Sequence, residues 1–287
     1  MLSLASDIAF VQHAPMPRRR EFAGQVVVVT GGGSGLGAAY ARRFAQAGAK
    51  LALLDLEPLK ATALASELES AGAECLALGC DVRDEAACQS AIGAVIERFG
   101  GIDVLVNNAG ITHRSAFSET DTAVFRRVMD VNLFGAIHCT KAALPSLLVR
   151  RGLIVAVSSI AGVAPLFGRT GYAASKHAVV GLFSSLRTEL APRGVDVLVV
   201  CPGFTATGIG AAALDGDGRK TAHPQSTFGR VATPESVAEA VYRAACAGRP
   251  LLVLTAAGKA AFFLSRLAPS LYERLMVRSL RGELERS

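Results

Sequence analysis

Short, almost unbroken apolar runs alternate with longer Ala-rich segments from residue 25 to residue 254. The runs are QVVVVT (25–30), KLALLD (50–55), ECLALGC (74–80), DVLVN (103–107), LIVAVS (153–158), DVLVVC (196–201) and PLLVLT (250–255). A strand with one wet face alternates apolar and polar residues. These runs do not, so each reads as a strand covered on both faces. Strand–helix alternation at these lengths builds right-handed βαβ units around a parallel sheet. The pattern therefore predicts an α/β fold: a doubly wound, seven-stranded parallel sheet in a single domain over residues 23–256. Residues 1–22 read as an irregular N-terminal extension, with Met16 as an alternative start. The segment 205–233, rich in Gly, Ala, Thr and Asp, reads as a mobile insertion and a candidate substrate lid.

Residues 257–287 read as an amphipathic helical extension. Pro269 opens a last helix. On it Leu271, Tyr272, Leu275, Met276 and Leu280 fall on one side, and Arg274, Arg278 and Arg281 cluster on another. The preferred reading is that the apolar side covers the lid or another subunit. The second is that it lies on an anionic membrane surface.

Composition narrows the picture. The chain has 287 residues, a formal charge of +6 and 51% hydrophobic residues, which suits one large folded domain with a substantial core. Aromatic residues are few and not interleaved with the basic ones, which argues against nucleic-acid binding. The six cysteines form no CxxC pair and no zinc spacing, so they read as buried free thiols in a reducing, cytoplasmic compartment, and no metal site is expected.

In such a sheet, ligands bind beyond the carboxyl ends of the strands, so chemistry belongs just after each run. After the first run comes TGGGSGLG, residues 30–37, with glycines at Gly31, Gly33, Gly35 and Gly37 around Ser34 and Leu36. The motif offers a tight turn, close backbone approach to a pyrophosphate and a helix N-terminus aimed at the anion. A plain glycine turn is the blander reading. After the second run, Asp55 can accept hydrogen bonds from ribose hydroxyls or cap a helix. After the third, Asp81 and Val82 sit where they can touch an adenine, with capping by Asp81 as the rival. After the fourth comes NNAG, with small residues at Asn108, Ala109 and Gly110 that let a cofactor lie against the strand end. Asn132 falls inside a long apolar helix over 121–150, where a structural hydrogen bond is the simpler reading. Ser158 and Ser159 end the fifth run. CPGFTAT follows the sixth and offers Pro202, Gly203, Thr205 and Thr207. Finally, TGYAASKHA places Tyr172 and Lys176 four residues apart on one helix face, where an ammonium favours the phenolate.

Taken in order, TGGGSGLG, NNAG, Asn132, Ser159, YAASK and PGFTAT resemble the short-chain dehydrogenase/reductase family, single-domain branch, over about residues 24–255. ALPSLLVRRG, the helix after Tyr172 and the long carboxyl end resemble its hydroxysteroid dehydrogenase-like members. The 3-oxoacyl-carrier-protein reductases usually stop soon after the last strand, so that alternative is weaker.

The resemblance implies a Rossmann-type fold and an NAD(P)-dependent oxidoreductase that interconverts a secondary alcohol and a ketone. Tyr172 would be the general acid/base. Lys176 would lower the Tyr172 pKa and bind the nicotinamide ribose. Ser159 would hold the substrate oxygen, and Asn132 would position a water. NAD is expected over NADP, because Asp55 repels a 2′-phosphate while Leu56 and Ser34 cannot pair with one. Val163, Pro165, Leu166 and Phe167 are expected to line a pocket for an apolar substrate. The two long helices, 121–150 and 171–191, are expected to build a homodimer or homotetramer. A dinucleotide-binding sensor or scaffold without catalysis is a further alternative, disfavoured because Ser159, Tyr172 and Lys176 are all present.

Overall fold

Alternate residues of each strand enter opposite cores. Val26 and Val28 of β1 (Val26–Thr30) join one buried cluster, while Val27 and Val29 join the other. Both faces are covered, so neither set can be polar, and this is why the runs lack alternation. The remaining strands are β2 (Lys50–Asp55), β3 (Cys75–Gly79), β4 (Val104–Asn107), β5 (Leu153–Val157), β6 (Asp196–Cys201) and β7 (Leu251–Val253). The seven strands pair in parallel in the order β3-β2-β1-β4-β5-β6-β7. Helices α1 (Gly35–Ala45), α2 (Pro58–Ser70) and α7 (Pro234–Cys246) cover one face. Helices α3 (Glu85–Phe99), α5 (Gly135–Arg150) and α6 (Thr170–Leu190) cover the other. The strand order reverses between β1 and β4, and the crevice there is the expected ligand position.

The computed structural model describes residues 19–223, 225–227 and 231–284. The N-terminal extension up to residue 18 with Met16, lid residues 224 and 228–230, and residues 285–287 lie outside the described residues. Arg20 and Phe22, read as part of the irregular extension, are buried in the body of the fold. Arg20 bonds Asp196 at 2.7 Å and donates to the carbonyls of Arg151 and Gly152. Phe22 packs edge-on against Phe44.

The long helix expected over 121–150 is divided. α4 (Thr122–Met129) and α5 flank a π-helical turn at Asp130–Phe134. Asn132 lies in that turn, and single π turns concentrate at functional sites.

The carboxyl extension forms α8 (Ala256–Leu267) and α9 (Pro269–Leu280). Tyr272, Met276 and Leu280, spaced by four, are buried against the loop that follows Ser159. The Tyr272 hydroxyl donates to Pro165 O at 2.8 Å, and the Phe167 amide meets Met276 Sδ at 3.2 Å. Leu271 and Leu275, assigned by sequence to the same side, are half exposed instead. A four-residue repeat makes a narrow stripe, and they lie outside it. No described helix is long and apolar enough to cross a membrane.

The segment read as a candidate lid, 205–233, is tied through its described residues to the loop after β4. Leu214 bridges His113 and Lys220, and its amide donates to Thr112 O at 2.9 Å. His113 is fully buried. Its Nε2 accepts from Gly171 N at 2.9 Å, so the other nitrogen, 3.2 Å from Ser115 Oγ, carries the proton of a neutral ring. Burial, and then the Arg169 guanidinium, push its pKa from 6.5 down to about 4. Between those values the unfolded chain binds a proton that the folded chain refuses. Stability therefore falls as pH drops through this window, by about 3 kcal/mol in all. His113→Gln should lower Tm at pH 7, and its deficit against the parent should shrink by pH 4. A deficit unchanged between the two pH values would exclude His113 as the group that titrates.

Candidate active site

The glycine-rich loop leaves β1 at Thr30, whose hydroxyl accepts the amides of Asn108 and Ala109, both at 3.0 Å. The Asn108 side chain returns a bond to Thr30 O at 2.9 Å. The ends of β1 and β4 are thus welded together at the crevice. A Cβ on Gly37 would lie 1.9 Å from Gly31 O, so no side chain fits there. Gly35 has φ +52°, a left-handed value that glycine adopts without strain. Helix α1 starts there with no side-chain cap from Ser34 and no acid in its first turn. Its leading N–H groups carry the positive end of the helix dipole, and the cradle fits a pyrophosphate.

Asp55 Oδ2 accepts from Gly33 N at 2.8 Å and Oδ1 from Glu57 N at 2.9 Å. It fastens the loop to the end of β2. Leu56 is exposed beside it. A Cβ on Gly33 would come within 2.9 Å of Lys60 Cβ and 3.0 Å of Asp55 Oδ2, so a basic residue does stand near this carboxylate. Its ammonium is paired with Glu57 at 2.6 Å. Asp81 does not cap the next helix. Asp84 does, accepting from the amides of Ala86 and Ala87. Asp81 instead takes a two-pronged bond from Arg83, which holds its carboxyl below the usual range. The buried Val82 presents its carbonyl to His138 Nδ1 at 3.0 Å.

Helix α6 brings Tyr172 and Lys176 over the end of β5. Lys176 is 3% exposed, and its ammonium donates to Val157 O at 2.9 Å. Burial pulls its pKa from 10.5 down to about 8. Its backbone carbonyl accepts from Ser158 Oγ at 2.8 Å. The Lys176 nitrogen lies 5.8 Å from the Tyr172 ring centroid. Tyr172 is half-buried, and burial raises its phenol above 10.0, opposed by the Ser159 hydroxyl and by Arg169. The protein alone does not show the lowering expected of Lys176. In the protein alone desolvation wins, and the downward pull comes from Ser159 and Arg169.

Asn132 is buried, and its amide is spent on structure. Oδ1 accepts from Ile111 N at 2.8 Å, while Nδ2 donates to Ile111 O and to Ser175 Oγ, both at 2.9 Å. Oδ1 retains a second lone pair. Gly110 lies between the two groups: a Cβ there would be 3.1 Å from Asn132 Oδ1 and 3.4 Å from Lys176 Nζ. Beyond β6, Pro202 O accepts from Ile160 N at 2.8 Å, and Gly203 O accepts from Thr205 Oγ1 at 3.2 Å. Thr207 comes to rest against Gly35, so this turn folds back over the glycine loop.

The structure therefore gathers the motif residues along one edge of the sheet. It does not leave Val163 and Leu166 open to a pocket. Both are buried in the cluster that contains Tyr272, Met276 and Leu280. Sequence reasoning missed His113, Arg114, Arg169 and Glu283, all buried close to the start of α6. His113 and Arg114 sit in the polar run Thr112–Ser115, and none of the four falls in a motif, so no local pattern marks them.

The family model described as short chain dehydrogenase matches residues 25–217. The dehydrogenase/reductase SDR family member 7B of Bos taurus is 37% identical over 266 residues, covering 90% of this chain and 82% of the relative. A 2-(S)-hydroxypropyl-CoM dehydrogenase 3 of Xanthobacter autotrophicus is 37% identical over 76% of this chain and 88% of its own length. Among solved structures, a short chain dehydrogenase/reductase of Burkholderia phymatum in complex with NAD superposes with a TM-score of 0.76. It is 29% identical, and the match covers 88% of this chain and 96% of the other. Sheet order, glycine loop and these likenesses agree: the chain belongs to the short-chain dehydrogenase/reductase family of oxidoreductases.

Proposed function

We propose that this protein interconverts a secondary alcohol and a ketone, with Tyr172 as general acid/base and NAD(H) as the preferred cofactor. The observation that carries the reading is the convergence of Ser159, Tyr172 and Lys176 at the end of β5, beside an uncapped helix N-terminus that fits a dinucleotide. The relative named a hydroxypropyl-CoM dehydrogenase supports oxidation at an alcohol carbon. The nicotinamide, when bound, supplies hydride transfer.

The chain's own residues manage the proton and the oxygen. Tyr172 donates its phenolic proton to the forming alkoxide in reduction and takes it back in oxidation. Ser159 hydrogen-bonds the substrate oxygen as its charge changes. Lys176, protonated at neutral pH, contributes positive charge near the phenol and bonds the nicotinamide ribose. Asn132 keeps Ile111 and Ser175 in place, and its remaining lone pair holds a water next to Gly110. Pro202, Gly203, Thr205 and Thr207 close over the cofactor phosphates.

With Val163 and Leu166 committed to the carboxyl extension, an apolar substrate preference rests on the lid, where Ile209 is partly exposed. A screen of steroids, long-chain and aromatic alcohols, and sugars tests it, and activity confined to sugars would end it. Assembly through α4, α5 and α6 is supported by the exposed Phe134 and Val149. Sedimentation velocity should return a dimer or tetramer, and a monomer at micromolar concentration would refute it.

Tyr172→Phe should lower turnover at least about a hundredfold, with NADH affinity nearly unchanged when read by fluorescence. Near-parental turnover would remove Tyr172 from the chemistry. For the cofactor, Asp55→Asn keeps an acceptor for Gly33 N and deletes the charge. The parent should show higher kcat/KM with NAD(H) than with NADP(H), and the variant should narrow that ratio about tenfold. A parent that prefers NADP(H) would point to Lys60 releasing Glu57 for the 2′-phosphate.

A further inference from the structure

The last described turn of the chain buries a carboxylate between two arginines. Glu283 has no exposed side-chain surface, and Arg169 and Arg114 are 5% and 3% exposed. Arg169 meets Glu283 with both terminal nitrogens, at 2.7 Å to Oε2 and 2.9 Å to Oε1. Arg114 Nε lies 3.9 Å from Oε2 and is buried without a hydrogen-bond partner. The other Arg114 nitrogens reach into the lid, donating to Gly210 O at 3.0 Å and to His223 O. The lid amide of Ser226 donates to Glu283 Oε1. One carboxylate therefore touches the loop after β4, the lid, and the residue that precedes α6.

Docking the tail does not require this charge. Tyr272, Met276 and Leu280 already bury an apolar stripe, and the Tyr272 hydroxyl is bonded to Pro165. The lid around Leu214 is likewise held to the loop after β4 by backbone bonds with Thr112, His113 and Arg114. A buried ion pair is a poor source of stability compared with apolar packing, and its best-attested use is to fix one arrangement. What this cluster adds is a tie to Gly210, His223 and Ser226 of the lid. Arg169 carries the tie to Tyr172: its carbonyl accepts from Ala173 N at 2.8 Å in the first turn of α6.

We propose that Glu283 is a positioning residue, whose carboxylate locks the lid at Gly210, His223 and Ser226 to Arg114 and Arg169 and so sets the arrangement of the substrate side of the active site. The proposal rests on the reading of 205–233 as a substrate lid. The tail is then a latch supplied by the chain itself. Substrate affinity depends on it, and the cofactor cradle at the other end of the crevice does not.

Glu283→Ala removes two carbons and two oxygens, which is the heavy-atom content of acetate. The full-length variant should show roughly tenfold faster amide exchange across residues 210–223 and 225–227, with α9 protected as in the parent. Acetate at roughly tenth-molar concentration, against equal sodium chloride to hold the Debye length at about 10 Å, should restore protection, while chloride should not. On an alcohol that the parent turns over, KM should rise with kcat and NADH affinity kept, and acetate should reverse the rise. Should the alanine variant fail to fold, Glu283→Gln keeps the volume and should loosen the same lid amides. Parental lid exchange in whichever variant folds, or loosening of the alanine variant that acetate leaves unchanged, overturns the proposal. The exchange arms need no turnover. A latch present in a chain that oxidises no alcohol would sink the proposed function alone, and an active chain with an indifferent lid would sink the latch alone.

Discussion

The seam between β5 and α6 is the constraint on which the rest of the site depends. Two hydrogen bonds cross it: the Lys176 ammonium donates to Val157 O, and Ser158 Oγ donates to Lys176 O. They fix the helix both along and around its axis relative to the strand end. Tyr172 stands one turn earlier on the same face, so its position follows from theirs. The approach is close enough to exclude a side chain between the elements. A Cβ on Gly162 would lie 2.2 Å from Ser158 Oγ and 2.5 Å from Lys176 O. The parallel register from β1 to β6 then brings the glycine loop, NNAG and PGFTAT to the same edge.

Burial at that seam acts on the two titrating groups in opposite senses. It disfavours the charged form of each, so the phenol rises and the ammonium falls to about 8. At neutral pH the chain alone holds a neutral phenol next to a protonated lysine. That is the charge state in which a proton can be given to an alkoxide. Taking the proton up again requires added positive charge, and Arg169 already pulls the phenol down.

The sheet was legible because continuous apolar runs have few uses other than strands buried on both faces, and six motifs in order located its working edge. What escaped was set by contacts between distant residues. Asp81 and Asp84 are equally good caps on paper, and only the path of the chain after β3 selects Asp84. The π turn at Asp130–Phe134 leaves no mark in the sequence beyond two polar residues, Asp130 and Asn132, in an apolar run, since it answers to Ile111 and Ser175 elsewhere in the chain. Val163 and Leu166 are apolar whether they face a substrate or a helix, so composition does not distinguish the two. Arg169 and Glu283 are 114 residues apart, and neither lies in a periodic pattern.

Asp55, the proposed recognition residue, is already a structural one. Its two oxygens already accept from Gly33 N and Glu57 N. A carboxylate offers about four acceptor positions, so about two remain for ribose hydroxyls without releasing the loop. A 2′-phosphate would meet this charge at short range and would compete for the same loop amides. Under the proposed function, cofactor choice and the shape of the glycine loop are therefore coupled through one side chain. A change of cofactor needs an acceptor that keeps Gly33 N satisfied, a neutral group at position 55, and a free cation where Lys60 now answers to Glu57.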